Sequence, residues 1–166
     1  MILVIKKLLN EFSEDVIRLF VQKNADYYIA KWKKMAAKDS KVSWNWAAFL
    51  VGALWMGYRK MYLYAFIYML LMLTTYIPIL GFILALVYWI GLGVLANYIY
   101  GKFTYEKLKK LKEESSSEEE FKNKVAAAGG VSVAGVFLVI LMGLVISTLF
   151  IAVVMSLASQ YQYTGF

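Results

Sequence analysis

Cysteine and histidine are both absent from the 166-residue chain. Without cysteine there is no disulfide framework and no thiolate metal site. Without histidine the commonest metal ligand, general base and haem ligand are missing together. Charge is missing too, over long stretches. Residues 61–101 are 41 consecutive uncharged positions, and residues 125–166 are 42 more. Charged residues make up 17% of the chain and hydrophobic residues 61%, against roughly 25% and 45–50% in soluble domains. Uncharged apolar runs of this length are tolerable in a membrane, so the composition predicts an all-α integral membrane protein. No catalytic, cofactor-binding or metal-ligating residue is expected, and no cofactor.

What charge there is has one dominant sign. The net charge of +7 points to anionic lipid headgroups or an acidic partner. Membrane topology accounts for the excess, so nucleic acid is not expected as a partner. Met1 to Ile5 is apolar but too short for a signal peptide, and Lys6-Lys7 follow it rather than precede it. The first hydrophobic span is therefore expected to be its own insertion signal.

Residues 1–43 read as cytoplasmic amphipathic basic helices. Ile5, Leu8, Leu9, Phe12, Val16, Leu19 and Phe20 recur at helical spacing and could form one face of a single helix; Ser13-Glu14-Asp15 could instead start a fresh one. Such helices either pack on the rest of the protein or lie on a membrane surface. Asn24 is a candidate N-cap. Beyond it Tyr28, Trp32, Met35 and Ala36 share a face, while Lys31, Lys33, Lys34 and Lys38 crowd the second half. That pattern reads as interfacial, with lysines near anionic cytoplasmic lipid.

Residues 44–60 hold three of the five tryptophans. Ser43 is placed to cap them. The apolar run Trp44–Tyr58 has 15 residues, fewer than the ~20 needed to cross a bilayer. Gly52 and Ala53 allow a bend within it. If this run does not cross, all 18 Lys and Arg residues fall on one side of the membrane. The positive-inside rule then puts that side in the cytoplasm. The run is accordingly expected to be an interfacial or re-entrant helix. Trp32, Trp44, Trp46, Trp55, Tyr58, Arg59, Lys60 and Tyr62 are expected to be membrane-interface anchors.

Residues 61–101 are expected to form a transmembrane hairpin that breaks at Pro78 and Gly81, with spans Met61–Ile77 and Leu80–Tyr100. Thr74, Thr75 and Tyr76 would help satisfy backbone groups at the turn. Gly93, Asn97 and Gly101 recur every four residues, a helix-packing face. Residues 102–130 read as a charged cytoplasmic loop. It holds a helical stretch Lys102–Lys112 with a Glu106–Lys110 pair, a break at 113–117, a Ser117/Glu120 capping box and a hinge at 126–130. Residues 131–158 read as a third span, with Gly135, Gly143 and Ser147 on a packing face. Residues 159–166 read as an external tail. The expected topology is three spans, N-terminus in and C-terminus out.

Several segments together resemble a known family. They are Asn24-Ala25-Asp26-Tyr27-Tyr28, Lys31-Trp32, Ser43-Trp44-Asn45-Trp46-Ala47-Ala48-Phe49, Tyr58-Arg59-Lys60-Met61-Tyr62 and Asn97-Tyr98-Ile99-Tyr100. They are similar to the hallmark segments of domain-of-unknown-function family twenty-six twenty-eight. The resemblance covers about residues 20–105. It implies a small bacterial protein of the inner (cytoplasmic) membrane, and no activity. Family members usually carry Gly-Pro within the apolar run, whereas here Ala53 follows Gly52, so a proline-dependent bend is not expected within that run.

Three functions are weighed. The leading expectation is a non-catalytic accessory, assembly or scaffolding subunit of a membrane complex, or a homo-oligomer joined through its transmembrane helices. The alternative is a small transporter, channel or holin-like pore using Asn97, Thr74 and Thr75. An enzyme acting on lipid would have to draw on Asn45, Arg59, Lys60 and Glu106. Each of these has a plainer role as a cap, a headgroup anchor or one half of a surface ion pair.

Overall fold

The Trp-rich run is divided at Gly52, and the rest of the chain is arranged about that break. The computed structural model describes residues 2–163, which form α-helices and one 3-10 turn, with no strand among them. In chain order the helices are α1 (Leu3–Glu11), α2 (Glu14–Val21), α3 (Ala25–Lys38), α4 (Trp46–Val51), α5 (Ala53–Tyr58), α6 (Tyr62–Leu73), α7 (Leu80–Glu113), α8 (Glu118–Ala128) and α9 (Val133–Tyr163). Gly52 sits at φ 53°, ψ −124°, a conformation that costs an L-residue about 1–3 kcal/mol. Glycine there lets α4 end and α5 set off in a new direction. Neither six-residue helix is long enough to span a bilayer.

Helices α1, α2 and α3, with α8 and the last turns of α7, form a cap. Ser13 accepts a hydrogen bond from the Val16 amide at 3.4 Å, with Glu14 and Asp15 in the first turn of α2. Of the two arrangements open to this segment, one continuous helix or a fresh start at Ser13, the chain takes the second. Ile5, Leu8, Phe12, Val16, Ile17, Phe20 and Val21 are all buried inside the protein. At about 1.5–3 kcal/mol for each large apolar side chain taken from water, that burial decides between the two readings of these helices. Their apolar faces meet protein, not a membrane surface. The same holds for α3, whose Tyr28, Trp32 and Met35 are buried while Lys31, Lys34 and Lys38 remain outside.

Below the cap lies the apolar part of the molecule: α6, the first half of α7, and α9. Two helices are long and apolar enough to cross a membrane, Leu80–Glu113 and Val133–Tyr161. The sequence reading expects three. The missing one is Met61–Ile77, which is instead 12 residues of α6 followed by a three-residue 3-10 turn, Thr74–Tyr76. That is about 24 Å of helix, against a hydrocarbon core of ~30 Å. Its upper end is set by Arg59-Lys60 and its lower end by local chemistry. The Thr74 and Thr75 hydroxyls donate to the Leu71 and Met72 carbonyls at 2.7 Å each, which satisfies acceptors freed as the helix ends. Gly81 then passes so close to Thr75 that a Cβ would collide with the Thr75 carbonyl.

The charged segment 102–130 holds the two helical stretches expected in it. Helix α7 runs unbroken through residue 101 to Glu113, and a tight turn joins it to α8. The hydroxyl of Ser117 accepts from the Glu120 amide at 3.2 Å, and the Glu120 carboxylate accepts from the Ser116 amide at 2.7 Å. This capping box is shifted by one residue on its return arm. The expected Glu106–Lys110 pair is replaced by Lys102–Glu106 at 3.6 Å and Lys110–Glu114 at 3.6 Å. Helix α9 continues past residue 158 to Tyr163, through most of the expected tail. The last part of that tail, 164–166, lies outside the described residues.

Candidate functional site

The cap is joined to the apolar helices by a buried polar hub on α7. Asn97 is 0% exposed. Its side-chain carbonyl accepts from the Asn45 amide at 2.9 Å. Its own amide has two hydrogens and four acceptors in reach: the Ser43 hydroxyl at 2.9 Å, the Trp44 and Ser43 carbonyls at 3.2 and 3.3 Å, and the Tyr27 hydroxyl at 3.5 Å. The Asn97 backbone carbonyl accepts from Trp32 Nε1 at 2.8 Å. The backbone amides of Ser43 and Asn45 donate to the Val94 and Gly93 carbonyls at 2.9 and 2.8 Å. Burial pushes the Tyr27 phenol above its usual range, although its bond to Asn97 works the other way; it stays protonated and donates to the Trp44 carbonyl at 3.2 Å. Asn45, not Ser43, is the N-cap of α4, accepting from the Ala48 amide at 3.0 Å.

Arg59 and Lys60 form a second junction. The Arg59 guanidinium is 3% exposed and donates to the Val21 carbonyl at 3.2 Å and the Lys23 carbonyl at 2.9 Å. It lies over the rings of Tyr28 and Tyr100, 4.6 and 5.1 Å from their centroids. Lys60 turns the other way, its ammonium donating to the Gly129 and Ala127 carbonyls. Two consecutive cations thus meet the negative ends of two helices, α2 and α8. Lys60 adopts φ 60°, and this left-handed turn aims the two side chains apart. Arg59 is therefore a buried clamp and not the headgroup anchor expected.

The other expected anchors divide. Trp32 is 0% exposed and Trp55 3%; Trp55 Nε1 donates to the Tyr28 hydroxyl at 3.2 Å. Both tryptophans are core. Trp44 is partly buried against Trp46 and Phe49, at ring separations of 5.3 and 4.9 Å. Its Nε1 is buried with no hydrogen-bond partner. Trp46 is 63% exposed and is the one tryptophan of the run placed as an outward anchor. Tyr58 is half-buried, with Lys23 over its ring at 5.7 Å. Tyr62 packs on α9, its hydroxyl beside Gly135. A residue that periodicity does not single out, Trp89, joins this surface: its ring stacks on Phe49 at 4.5 Å and its Nε1 donates to the Phe49 carbonyl at 2.7 Å.

The expected packing residues divide as well. A Cβ on Gly93 would lie 3.1 Å from Phe49 and 3.2 Å from Trp44, and one on Gly101 would meet Trp32 Nε1 at 2.7 Å and collide with Ile5. With Asn97, these glycines form the seat for α1, α3 and α4, not a contact between membrane spans. Gly135 does join apolar helices. A Cβ on Gly57 would stand 2.6 Å from the Gly135 carbonyl, and Gly135 is as close to the Gly57 carbonyl. This is a glycine-on-glycine crossing of α5 and α9. Gly143 is looser, with Met69 Sδ at 3.4 Å from the Cβ position, and Ser147 is exposed.

The arms of the hairpin meet at the turn but leave space above it. An apolar cavity of about 450 Å³ lies between them, lined by Met56, Tyr64, Ile67, Tyr68, Leu92, Leu95 and Ile99 among others. A second, of about 330 Å³, opens toward the cap between Lys60–Tyr64 and Phe103–Lys110. Tyr64 lines both. Its hydroxyl donates to Glu106 at 3.2 Å and its ring meets Phe103 edge-on at 6.0 Å. Among the described residues no three His, Cys, Asp or Glu side chains are grouped to hold a metal ion. Of the residues an enzyme would draw on, Asn45 and Arg59 are buried and bonded within the fold. Lys60 is engaged with α8, and Glu106 with Tyr64 and Lys102.

A family model described as "Protein of unknown function (DUF2628)" matches residues 18–105, more than half of the chain. The chain belongs to this family. No curated protein and no solved structure shows significant similarity. The DUF2628 match contains the whole polar hub, Arg59 and Lys60, the divided Trp-rich run and the hairpin. Helices α1, α8 and α9 lie outside it. The DUF2628 core is thus the junction between cap and hairpin. The Lys60 partners on α8 and the Gly135 partner on α9 are additions to that core.

Proposed function

We propose that the chain is an integral protein of the bacterial inner membrane that acts by association, as an accessory, assembly or scaffolding subunit or as a homo-oligomer. The observation that carries this reading is α9. Ile151, Val153, Val154, Met155, Leu157 and Tyr161 are all about half exposed or more, beyond the point where Tyr76 of the hairpin turn meets Phe150 at 5.0 Å. From Gly135 to Phe150 the helix descends about 22 Å. Beyond Phe150 the apolar side chains named above stay largely exposed. Such a length of exposed apolar helix suits lipid on one face and another transmembrane helix on the other.

In this reading α9 crosses the bilayer and the hairpin enters from the cap side, its arms returning to that side. The turn at Ile77-Pro78-Ile79, with Ile79 96% exposed, lies toward the far leaflet. Every lysine and arginine belongs to the cap or its rim, so the cap is cytoplasmic and the C-terminus outside. A pore would need polar groups facing a lumen. Asn97 is sealed in its hub, and the Thr74 and Thr75 hydroxyls bond to their own helix; these contacts favour association. Three measurements test the proposal. Carbonate-washed membranes should retain the protein, and mild detergent should release a particle holding more than one 19.0 kDa chain or a second protein. A monodisperse monomer, or conductance above that of empty liposomes, would overturn it.

A further inference from the structure

We propose that the trough between α6 and α7 binds one anionic phospholipid, its phosphate at the lysine-rimmed mouth and an acyl chain in the apolar cavity. This rests on the membrane reading above and adds a stoichiometric site to it. The two cavities of about 450 and 330 Å³ share Tyr64 in their walls and lie along one stripe of α7 through Gly91, Leu95, Ile99, Phe103, Glu106 and Lys110. Each falls within or near the ~300–1,000 Å³ typical of ligand sites. Their chemistry changes sharply along that line. The deep cavity is walled by aliphatic and aromatic groups. The mouth has Lys60, Lys107 and Lys110 against a single carboxylate, Glu106.

That carboxylate is already engaged, by the Tyr64 hydroxyl at 3.2 Å and by Lys102 at 3.6 Å. Lys60 donates to the α8 carbonyls, and Lys110 stands 3.6 Å from Glu114. Lys107 stacks on Phe103, 5.8 Å from the ring centroid, and forms no carboxylate ion pair among the described residues. The mouth therefore keeps a positive excess directly above an apolar slot. A free phosphate would satisfy the mouth and leave the slot empty. A neutral lipid would do the reverse. An anionic phospholipid satisfies both, and Ile67, Leu71 and Val87 of the slot are exposed.

The test uses the full-length protein in mild detergent, stripped of lipid and then given phosphatidylglycerol, phosphatidylcholine or inorganic phosphate. Native mass spectrometry counts bound molecules, and circular dichroism follows folding. The expected result is one retained phosphatidylglycerol per chain, at least tenfold over phosphatidylcholine, with no retained phosphate. Lys107→Gln with Lys110→Gln, both exposed positions, should abolish that preference and leave the helix signal intact. Gly91→Phe should block retention of either lipid, because Gly91 borders the cavity and a Cβ there meets nothing within 4 Å. Equal retention of the two lipids, or phosphatidylglycerol binding unchanged in both variants, would overturn the site. Carbonate extraction separates the two proposals. Protein that stays in the membrane yet holds no lipid refutes the site alone, whereas protein washed off refutes both.

Discussion

The side-chain amide of Asn45 donates to the side-chain carbonyl of Asn97 at 2.9 Å, across 52 positions of sequence. This bond pins the start of the Trp-rich run to the middle of α7. It also holds Asn45 in the rotamer that caps α4 through the Ala48 amide. Loss of either residue should therefore be felt at both places. Asn97→Ala strands the Asn45 amide in a buried site and should lower stability by about 1–3 kcal/mol. Asn45→Ala should cost a similar amount, since it removes a cap as well as a hydrogen bond. In a double-mutant cycle read by thermal unfolding in detergent, the two losses should fall clearly short of additive. Simple additivity would mean that the hub is not a unit.

Arg59 makes a charge-assisted bond to each of two carbonyls, Val21 and Lys23, between two tyrosine rings. Lysine has a point charge in place of a planar fork and cannot reproduce this. Arg59→Lys should cost about 1.5–3 kcal/mol, and Arg59→Ala more, because it also empties the space between the rings. Limited proteolysis between α2 and α3, at 22–24, should speed up in both variants. If instead Arg59→Lys unfolds at the wild-type temperature, the clamp has little energetic weight.

The two glycines of the α5–α9 crossing and the glycine of the cavity wall should respond oppositely to alanine. Gly135→Ala forces a methyl toward the Gly57 carbonyl and should destabilise by about 1–3 kcal/mol through overpacking. Gly91→Ala meets open space in mid-helix and should stabilise by about 0.5–1 kcal/mol. Thermal unfolding in detergent checks both: the midpoint should fall for Gly135→Ala and rise for Gly91→Ala.

Acid should loosen the cap before it reaches the apolar helices. Glu14 is held below the usual carboxylate range first by its bond to Lys33 and then by Arg18, at 2.5 and 2.8 Å. Asp39 is lowered chiefly by Lys6 at 2.7 Å, and Glu120 chiefly by Lys124 at 2.7 Å. Their contribution is complete above the unfolded-state values of about 4–4.5 and is lost as pH falls through the lower folded values. The Glu14–Lys33 pair ties α2 to α3, so its protonation releases one cap helix from the next. Cap melting should begin below about pH 4.5. Glu14→Gln should lower stability at neutral pH and flatten the acid limb. All of these pairs are exposed, so added salt should shrink the effect. An acid limb unchanged in Glu14→Gln would assign it to other groups.

Much of the local structure was legible from residue type and spacing. Ser13 and Ser117 start helices where hydroxyls followed by acids say they should. Gly52 divides the Trp-rich run, and Pro78 with Gly81 turns the hairpin. Each of these signals acts within four or five residues, on backbone groups that one side chain can reach. The polar hub was half visible. Asn97 stood out as an amide in an apolar run, but its partners Asn45 and Ser43 lie some 50 positions away, and nothing in periodicity couples them. Trp89 and Gly57 gave no signal at all, because their roles are defined by what another helix places beside them.

Residue order alone dictates that this chain is helical, that its charge gathers on one side of its apolar helices, and where those helices begin and turn. It does not dictate what covers an apolar face. The stripes of α1–α3, the rings of Trp32 and Trp55 and the guanidinium of Arg59 all have the pattern of a membrane interface, yet they are buried in the protein's own core. The span expected at Met61–Ile77 falls short for a local reason: it lies between Lys60 and Pro78, and the chain leaves the α-helix at Leu73 for a 3-10 turn. Amphipathicity records only that a face must leave water. Whether it meets protein or lipid is set by which helices tertiary packing brings against it, and here the Asn97 hub and the Arg59 clamp make that choice.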